Sequence, residues 1–143
     1  MSQVATSPVT PTRLSGTAFT VSCGASESAL STGGSGVELH LALPHLSGPG
    51  SHFLAAGEAE EKDGVQLFTS PGQVAGVVVI PCEHNLRSAV RDAYARILNA
   101  TQGLHLWRMW NTVPDINCTR EGLENYRAFN AGRFDAVTAH LGL

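Results

Sequence analysis

Alternating apolar and polar positions predict strands in the first half of the chain. Residues 37–43 alternate with period two, as in a strand with one buried face. Residues 65–69 and 76–80 are two further predicted strands, paired across a Ser-Pro-Gly turn signal. We expect a loop at 47–51 and a solvated turn at 58–63, where charged residues cluster.

The first 36 residues are rich in Ser, Thr, Gly and Pro and allow two interpretations. One is a flexible arm that ends in a Gly-Ser linker, and the other is a short strand at 17–23. We expect residues 1–15 to be a dispensable arm, because they show no hydrophobic pattern that would dock, and residues 16–143 to form a single domain.

The second half of the chain is predicted as helix, strand and helix. The first helix begins at Leu86 and carries one continuous apolar stripe that continues to Leu98, and Gly103 ends it. Residues 104–111 alternate as a strand with two distinct faces. The second helix is predicted from 119 or 120 to 141. Its core side is expected to carry Leu123, Tyr126, Phe134, Val137 and Leu141.

This order of elements predicts an α+β fold with a mixed sheet and two helices packed on one face. In so short a chain the other sheet face needs a cover, and a partner subunit is the usual one. We therefore expect a homo-oligomer with small-molecule pockets between its subunits.

Composition narrows the function. A net charge of −3, with eight Arg and one Lys, argues against nucleic-acid binding. No apolar run has the length of a signal peptide or a membrane span, and three dispersed cysteines are typical of a reducing compartment, so we expect a cytoplasmic protein. No metal-ligand spacing, Walker loop or dinucleotide motif occurs, so we expect no metal and no cofactor.

Functional side chains are concentrated between Leu104 and Arg133, where two Trp, four Arg and four Asn fall within thirty residues. Arg108 lies on a strand face otherwise given to apolar residues, so it needs a partner, either Glu124 or a ligand. His105 and Glu124 are the predicted proton-transfer groups, because imidazole and a perturbed carboxyl titrate near neutral pH. The predicted substrate-binding residues are Trp107, Arg108, Met109, Asn111, Asn117, Tyr126, Arg127, Asn130 and Arg133.

The same stretch resembles a known family. Residues 65–133 are similar to the N-terminal domain of chorismatases, enzymes that hydrolyse chorismate with loss of pyruvate. The motifs that carry the resemblance are LFTSPG at 67–72, the apolar run 75–81, YARIL at 94–98, LWRMWN at 106–111 with Pro114 and the Ile116-Asn117 pair, and GLENYRAFNAGR at 122–133.

The resemblance implies a YjgF/Rid-like fold and a homotrimer. Family enzymes continue into a second domain that supplies most of their catalytic groups, and the printed sequence ends at Leu143. We therefore expect the domain, its oligomerisation and its cleft to carry over, rather than chorismate hydrolysis itself.

Three functions remain open. The first is an enzyme of secondary metabolism that cyclises and aromatises an aromatic or polyene intermediate with loss of water, such as a carbazole-type cyclase. The second is a chorismate-type, pyruvate-releasing lyase or hydrolase, whose dicarboxylate substrate Arg108, Arg127 and Arg133 would hold. The third is a non-catalytic, metabolite-binding accessory subunit.

Overall fold

The computed structural model describes residues 14–24, 29–33, 36–44, 51–81 and 85–143. They form an α+β structure, as predicted, in two compact units. The sheet unit comprises Met1–Lys62 with Gln66–Val77, and the helical unit comprises Asp63–Val65 with Val78–Leu143. The YjgF/Rid-like fold, the packing of the helices on one sheet face, and the division into an arm (1–15) and one domain (16–143) stay predictions.

A mixed sheet of six strands has the order β2-β3-β1-β4-β5-β6. The pairing of β1 with β3 is parallel, and β1–β4, β2–β3 and β5–β6 are antiparallel. The strands are β1 (Leu14–Cys23), β2 (Ala29–Gly33), β3 (Gly36–Leu41), β4 (Ser51–Lys62), β5 (Val65–Ser70) and β6 (Gln73–Val77).

The predicted strands at 37–43 and 65–69 are confirmed as β3 and β5, and of the two interpretations of 17–23 the strand is present as β1. The strand at 76–80 was placed too late, because β6 starts directly after the Pro71-Gly72 turn. The predicted loop at 47–51 lies mostly outside the described residues.

Two polar segments that we expected to be irregular are strands. The turn predicted at 58–63 is wrong, because Glu58 to Lys62 continue β4 and only Asp63-Gly64 turns. Part of the expected Gly-Ser linker is the strand β2. In both cases backbone pairing with a neighbouring strand outweighs a weak side-chain pattern.

One side of the sheet is held by a small aromatic cluster. Phe19 on β1 and Phe68 on β5 stack with their ring centroids 4.9 Å apart, and both are buried. Val37 and Ala59 complete the buried group. Alternation along β1 and β3 places these apolar residues on one face, as the period-two pattern predicts.

Helix α1 (Leu86–Ala100) confirms the first predicted helix. Asn85 caps it, since its side-chain oxygen accepts a 3.0 Å hydrogen bond from the Ser88 N–H. Val90, Ala93 and Tyr94 from the predicted stripe are buried. The helix ends at Ala100, three residues before Gly103.

Helix α2 (Asn125–Leu141) packs against α1 through small residues. A Cβ on Gly132 would clash with the backbone carbonyl oxygen of Arg87 and lie 3.0 Å from the Val90 Cβ, so the crossing requires glycine. The Arg87 guanidinium is paired with Asp135 across the two helices, with hydrogen bonds of 2.7 and 3.1 Å. The hydrogen bond from Arg87 lowers the pKa of Asp135, partly opposed by desolvation.

The predicted core side of α2 is wrong. The buried positions are Asn125, Ala128, Phe129, Gly132 and Ala136. The close crossing with α1 selects this face because small residues let the two backbones approach. The large side chains that we assigned to the core are exposed instead: Leu123, Tyr126, Phe134, Val137 and Leu141.

The predicted start of α2 at 119 or 120 is also wrong. Thr119–Arg120 (β7) and Leu123–Glu124 (β8) pair as a two-stranded hairpin. Glu121 and Gly122 turn with φ angles of 51° and 79°, outside the range of a right-handed helix. The helix therefore begins only after this hairpin.

The strand predicted at 104–111 is absent. Residues 105–113 have no regular secondary structure, and within the described chain no strand pairs with them. Period-two alternation alone does not make a strand, because the backbone N–H and C=O groups need a neighbouring ladder. We call residues 105–113 the tryptophan segment.

Candidate functional site

The tryptophan segment is anchored to the helix pair at three points. Met109 and Val113 are half-buried against the cluster of Val90, Tyr94 and Phe129. The Tyr94 hydroxyl, on a part-buried side chain, donates a 3.0 Å hydrogen bond to the Asn111 side-chain oxygen. Because Met109 and Asn111 make these contacts, the backbone is held on both sides of Trp110. The segment is therefore irregular in backbone but held by the helices.

Next to these anchors in sequence, a cation and two aromatic rings group together on the surface. The Arg108 guanidinium carbon lies 5.3 Å from the ring centroid of Trp107 and 5.5 Å from that of Trp110. The indoles are 89% and 72% exposed. Cation–π attraction of this kind is worth about 0.5–1 kcal/mol per exposed pair. We call Trp107, Arg108 and Trp110 the indole–guanidinium cluster.

Arg108 therefore finds aromatic partners rather than a carboxylate. The proposed pairing of Arg108 with Glu124 is wrong, because Glu124 lies 3.7 Å from the Arg127 Nε instead. Both partners in that pair are substantially exposed, so it contributes little stability. The pair places one carboxylate and one guanidinium at the start of α2.

The start of α2 is held by the loop before it. Backbone N–H groups of Asn125 and Tyr126 donate 2.8 Å hydrogen bonds to the carbonyl oxygens of Cys118 and Ile116. The Asn125 side-chain amide donates to the Asp115 carbonyl at 2.9 Å. These bonds satisfy N–H groups that a helix start leaves without partners. The Asn125 residue is only 3% exposed.

The remaining predicted site residues are spread over the helical unit. Arg133 is exposed, with its guanidinium carbon 5.9 Å from the Phe129 ring centroid, and Asn130 is half-buried on the same helix. Tyr126 and Asn117 are exposed near the start of α2. His105 is exposed in the tryptophan segment and has no ion pair with Glu124, although both are described.

The structure thus brings together some predicted site residues and leaves others apart. Trp107 and Arg108 form one group, and Glu124 and Arg127 form another. Alternation along 104–111 would place His105, Trp107, Met109 and Asn111 on one face of a strand. That face is not formed, because Met109 and Asn111 contact the helices while Trp107 is exposed.

Sequence reasoning missed the residues that hold this region in place. Tyr94 was assigned to the core alone, yet its hydroxyl fixes Asn111. Asp115 has a φ of 51°, and its side chain accepts a 3.1 Å hydrogen bond from Arg120. Neighbouring Pro114 and Asp115 are a turn signal that pointed to this loop.

The described residues contain neither a metal-binding cluster nor a membrane-spanning helix. No group of three His, Cys, Asp or Glu side chains in that part of the chain is arranged to hold a metal ion. Neither α1 nor α2 has the length and hydropathy needed to cross a bilayer.

Comparison with protein families gives one match. The model of the chorismatase FkbO/Hyg5-like N-terminal domain matches residues 53–142, well over half of the 143-residue chain. No curated protein and no solved structure matches significantly. The match includes β5, both helices, the tryptophan segment and the start of α2. The resemblance noted at 65–133 is thereby confirmed and extended, and the chain belongs to the chorismatase FkbO/Hyg5-like N-terminal domain family.

Proposed function

We propose that this protein is a cofactor-independent enzyme of secondary metabolism that cyclises an aromatic or polyene intermediate with loss of water and aromatisation. A carbazole-type alkaloid cyclase is the example we favour. The observation that carries the proposal is the indole–guanidinium cluster within the family-matched region.

The cluster suits a flat, conjugated, oxygen-bearing substrate. The exposed indole faces of Trp107 and Trp110 offer stacking area, and aromatic pairs contribute about 0.5–1.5 kcal/mol beyond area burial. Arg108 adds hydrogen-bond donors that suit a carbonyl or carboxylate oxygen. Stacking and a fixed cation together orient a substrate for ring closure.

Ring closure with aromatisation balances without an oxidant when the side chain already carries one carbon–carbon double bond. A nucleophilic aromatic carbon bonds to the side-chain carbonyl carbon and loses its proton, which restores its own ring. The carbonyl oxygen then leaves as water, and loss of a second proton from the side chain makes the new ring aromatic. The chain must then supply proton-transfer groups. His105 and Glu124 are the proposed groups, and both side chains are accessible to solvent.

Binding can be measured without a label by isothermal titration calorimetry. The probe is an indole whose C3 side chain bears a carbonyl on its fourth carbon and contains one carbon–carbon double bond. We expect saturable heat of binding, followed by a product lighter by one water. Neither heat of binding nor loss of water with this probe would refute the proposal.

The matched variants are Arg108→Ala and Arg91→Ala. Arg91 is an exposed arginine on α1 that pairs with Asp92, so its removal preserves the cluster. We expect Arg108→Ala to weaken probe binding about 2- to 30-fold, from the cation–π range of about 0.5–2 kcal/mol. Arg91→Ala is expected to bind as the wild type does. Equal losses in both variants would mean that general charge, rather than the cluster, holds the probe.

A second candidate follows from the family membership itself, namely a chorismate-type reaction that releases pyruvate. Arg108, Arg127 and Arg133 are all exposed and would meet the two carboxylates of chorismate. Coupled pyruvate detection with lactate dehydrogenase separates the two candidates, because cyclisation releases water only. Binding of chorismate in the same calorimetric titration, with no turnover of either kind, supports the accessory, metabolite-binding role.

A further inference from the structure

Three neighbouring strands of the sheet unit bring two serines and a histidine into contact. On β3, His40 lies directly opposite Ser22 of β1. The Ser22 Oγ is 2.9 Å from the His40 Nδ1, and the Ser31 Oγ of β2 is 3.1 Å from its Nε2. Both ring nitrogens therefore have a hydroxyl partner.

The period-two pattern of β3 explains this placement. Val37 and Leu39 belong to the apolar cluster on one face, so Glu38 and His40 share the opposite face. The His40 side chain is 33% exposed and Ser31 is exposed, so a solute can reach both groups.

The three side chains are arranged as a nucleophile (Ser31), a base (His40) and a group that orients the base (Ser22). With the Nδ1–H donating to the Ser22 oxygen, the Nε2 of His40 accepts from the Ser31 hydroxyl. A carboxylate oxygen of Glu38 lies 3.8 Å from the same Nδ1. The Ser31 hydroxyl also lies 3.5 Å from the Glu38 carbonyl oxygen, but the imidazole is the nearer acceptor.

We propose that Ser31 is a nucleophile activated by His40, forming an acyl-transfer site for activated esters or thioesters. The Ser31 Oγ bonds to the acyl carbon while its proton passes to the His40 Nε2, and the imidazolium gives that proton to the departing alcohol or thiol. Water then attacks the acyl-serine, the imidazole takes a proton from the water and gives it to the Ser31 Oγ, and the carboxylic acid is released. A hydroxyl within reach of an oriented histidine is the diagnostic geometry of this chemistry. These residues precede residue 53, so the family match does not imply the site.

The first test uses the unmodified protein and a fluorophosphonate probe, followed by peptide mapping. We expect Ser31 to be labelled at least about 100-fold faster in the native protein than in concentrated urea, which is the lower range for general-base catalysis. N-acetylserinamide corrects for the effect of urea on the probe. Equal rates, or labelling at another serine, would overturn the proposal.

Variants then assign the base. His40→Gln is expected to lower the rate of Ser31 labelling about 100-fold, and Ser70→Ala to leave it unchanged, since the Ser70 hydroxyl donates to the backbone carbonyl oxygen of Gln73 instead. Labelling of a folded His40→Gln protein at the wild-type rate would overturn the role of the histidine. If that variant does not fold, the proposal is tested by the wild type alone, through the ratio of its Ser31 labelling rate in the native state to the rate in urea. A burst of p-nitrophenol from p-nitrophenyl acetate, absent in Ser31→Ala, is the expected catalytic counterpart.

Discussion

The close crossing of α1 and α2 makes Gly132→Ala a direct test of the helix packing. The new Cβ would clash with the Arg87 carbonyl oxygen and lie 3.0 Å from the Val90 Cβ and 3.1 Å from the Arg87 carbonyl carbon. A change of rotamer cannot relieve these contacts, because they involve backbone atoms and a Cβ. The helices therefore have to separate or slide to accommodate the methyl group.

The expected size of the effect combines two opposing contributions. Overpacking costs about 1–3 kcal/mol, and backbone obstacles place this site in the upper part of that range. Alanine in place of glycine gains about 1 kcal/mol of helix propensity. We expect a net loss of about 1–2 kcal/mol in the free energy of unfolding, a factor of about 5–30 in the ratio of folded to unfolded protein.

Urea unfolding followed by far-UV circular dichroism measures this change, because α1 and α2 both lie in the helical unit. The matched control is Ala95→Gly, at an exposed mid-helix position of α1. It is expected to lose about 1 kcal/mol from propensity alone. A Gly132→Ala protein as stable as the wild type, or more so, would refute the close crossing.

Three further predictions concern the same unit. Tyr94→Phe removes the hydroxyl that holds Asn111 and is expected to cost about 1 kcal/mol in urea unfolding, with Asn111→Ala adding little to it. Asn125→Ala is expected to cost about 1 kcal/mol by the same measurement, because the buried Asn125 side chain loses its hydrogen bond to the Asp115 carbonyl oxygen, which keeps the bond from the Cys118 N–H. Because the pKa of Asp135 is lowered on folding, its stabilisation is present above the ordinary Asp value of about 3.9 and is lost as the pH falls through the lowered value. Urea unfolding at a series of pH values from neutral to about pH 2 measures this. The free energy of unfolding should fall less in Asp135→Asn than in the wild type as the pH is lowered.

Local patterns predicted those elements whose stability depends on their own residues. Helix α1 was predictable because its stripe, its Asn85 cap and its end are adjacent in sequence. The hairpin of β5 and β6 was predictable from the Pro71-Gly72 turn. The family match confirms that the motifs between 65 and 133 were sufficient to identify the domain.

Elements that depend on distant partners were not predictable from one segment. Either face of α2 is apolar enough to be buried, and only the crossing with α1 selects Gly132 over Phe134. Residues 104–111 have a strand pattern, but pairing requires a ladder that one segment cannot specify. Arg108 is the opposite case, because its partners Trp107 and Trp110 are its neighbours in sequence, whereas we expected the more distant Glu124.

The strand order has a consequence for synthesis of the chain. Strand β3 lies between β1 and β2 but follows both in sequence. The β2–β3 ladder closes at Gly33 and Gly36, whereas the β1–β3 ladder must join Phe19 to Val37. The shorter loop has the smaller closure entropy, so the β2–β3 hairpin is expected to form first and then to add to β1 as a unit. Until residue 41 leaves the ribosome, this edge of β1 has no ladder partner, and the nascent chain is most susceptible to pairing with a neighbour in that interval.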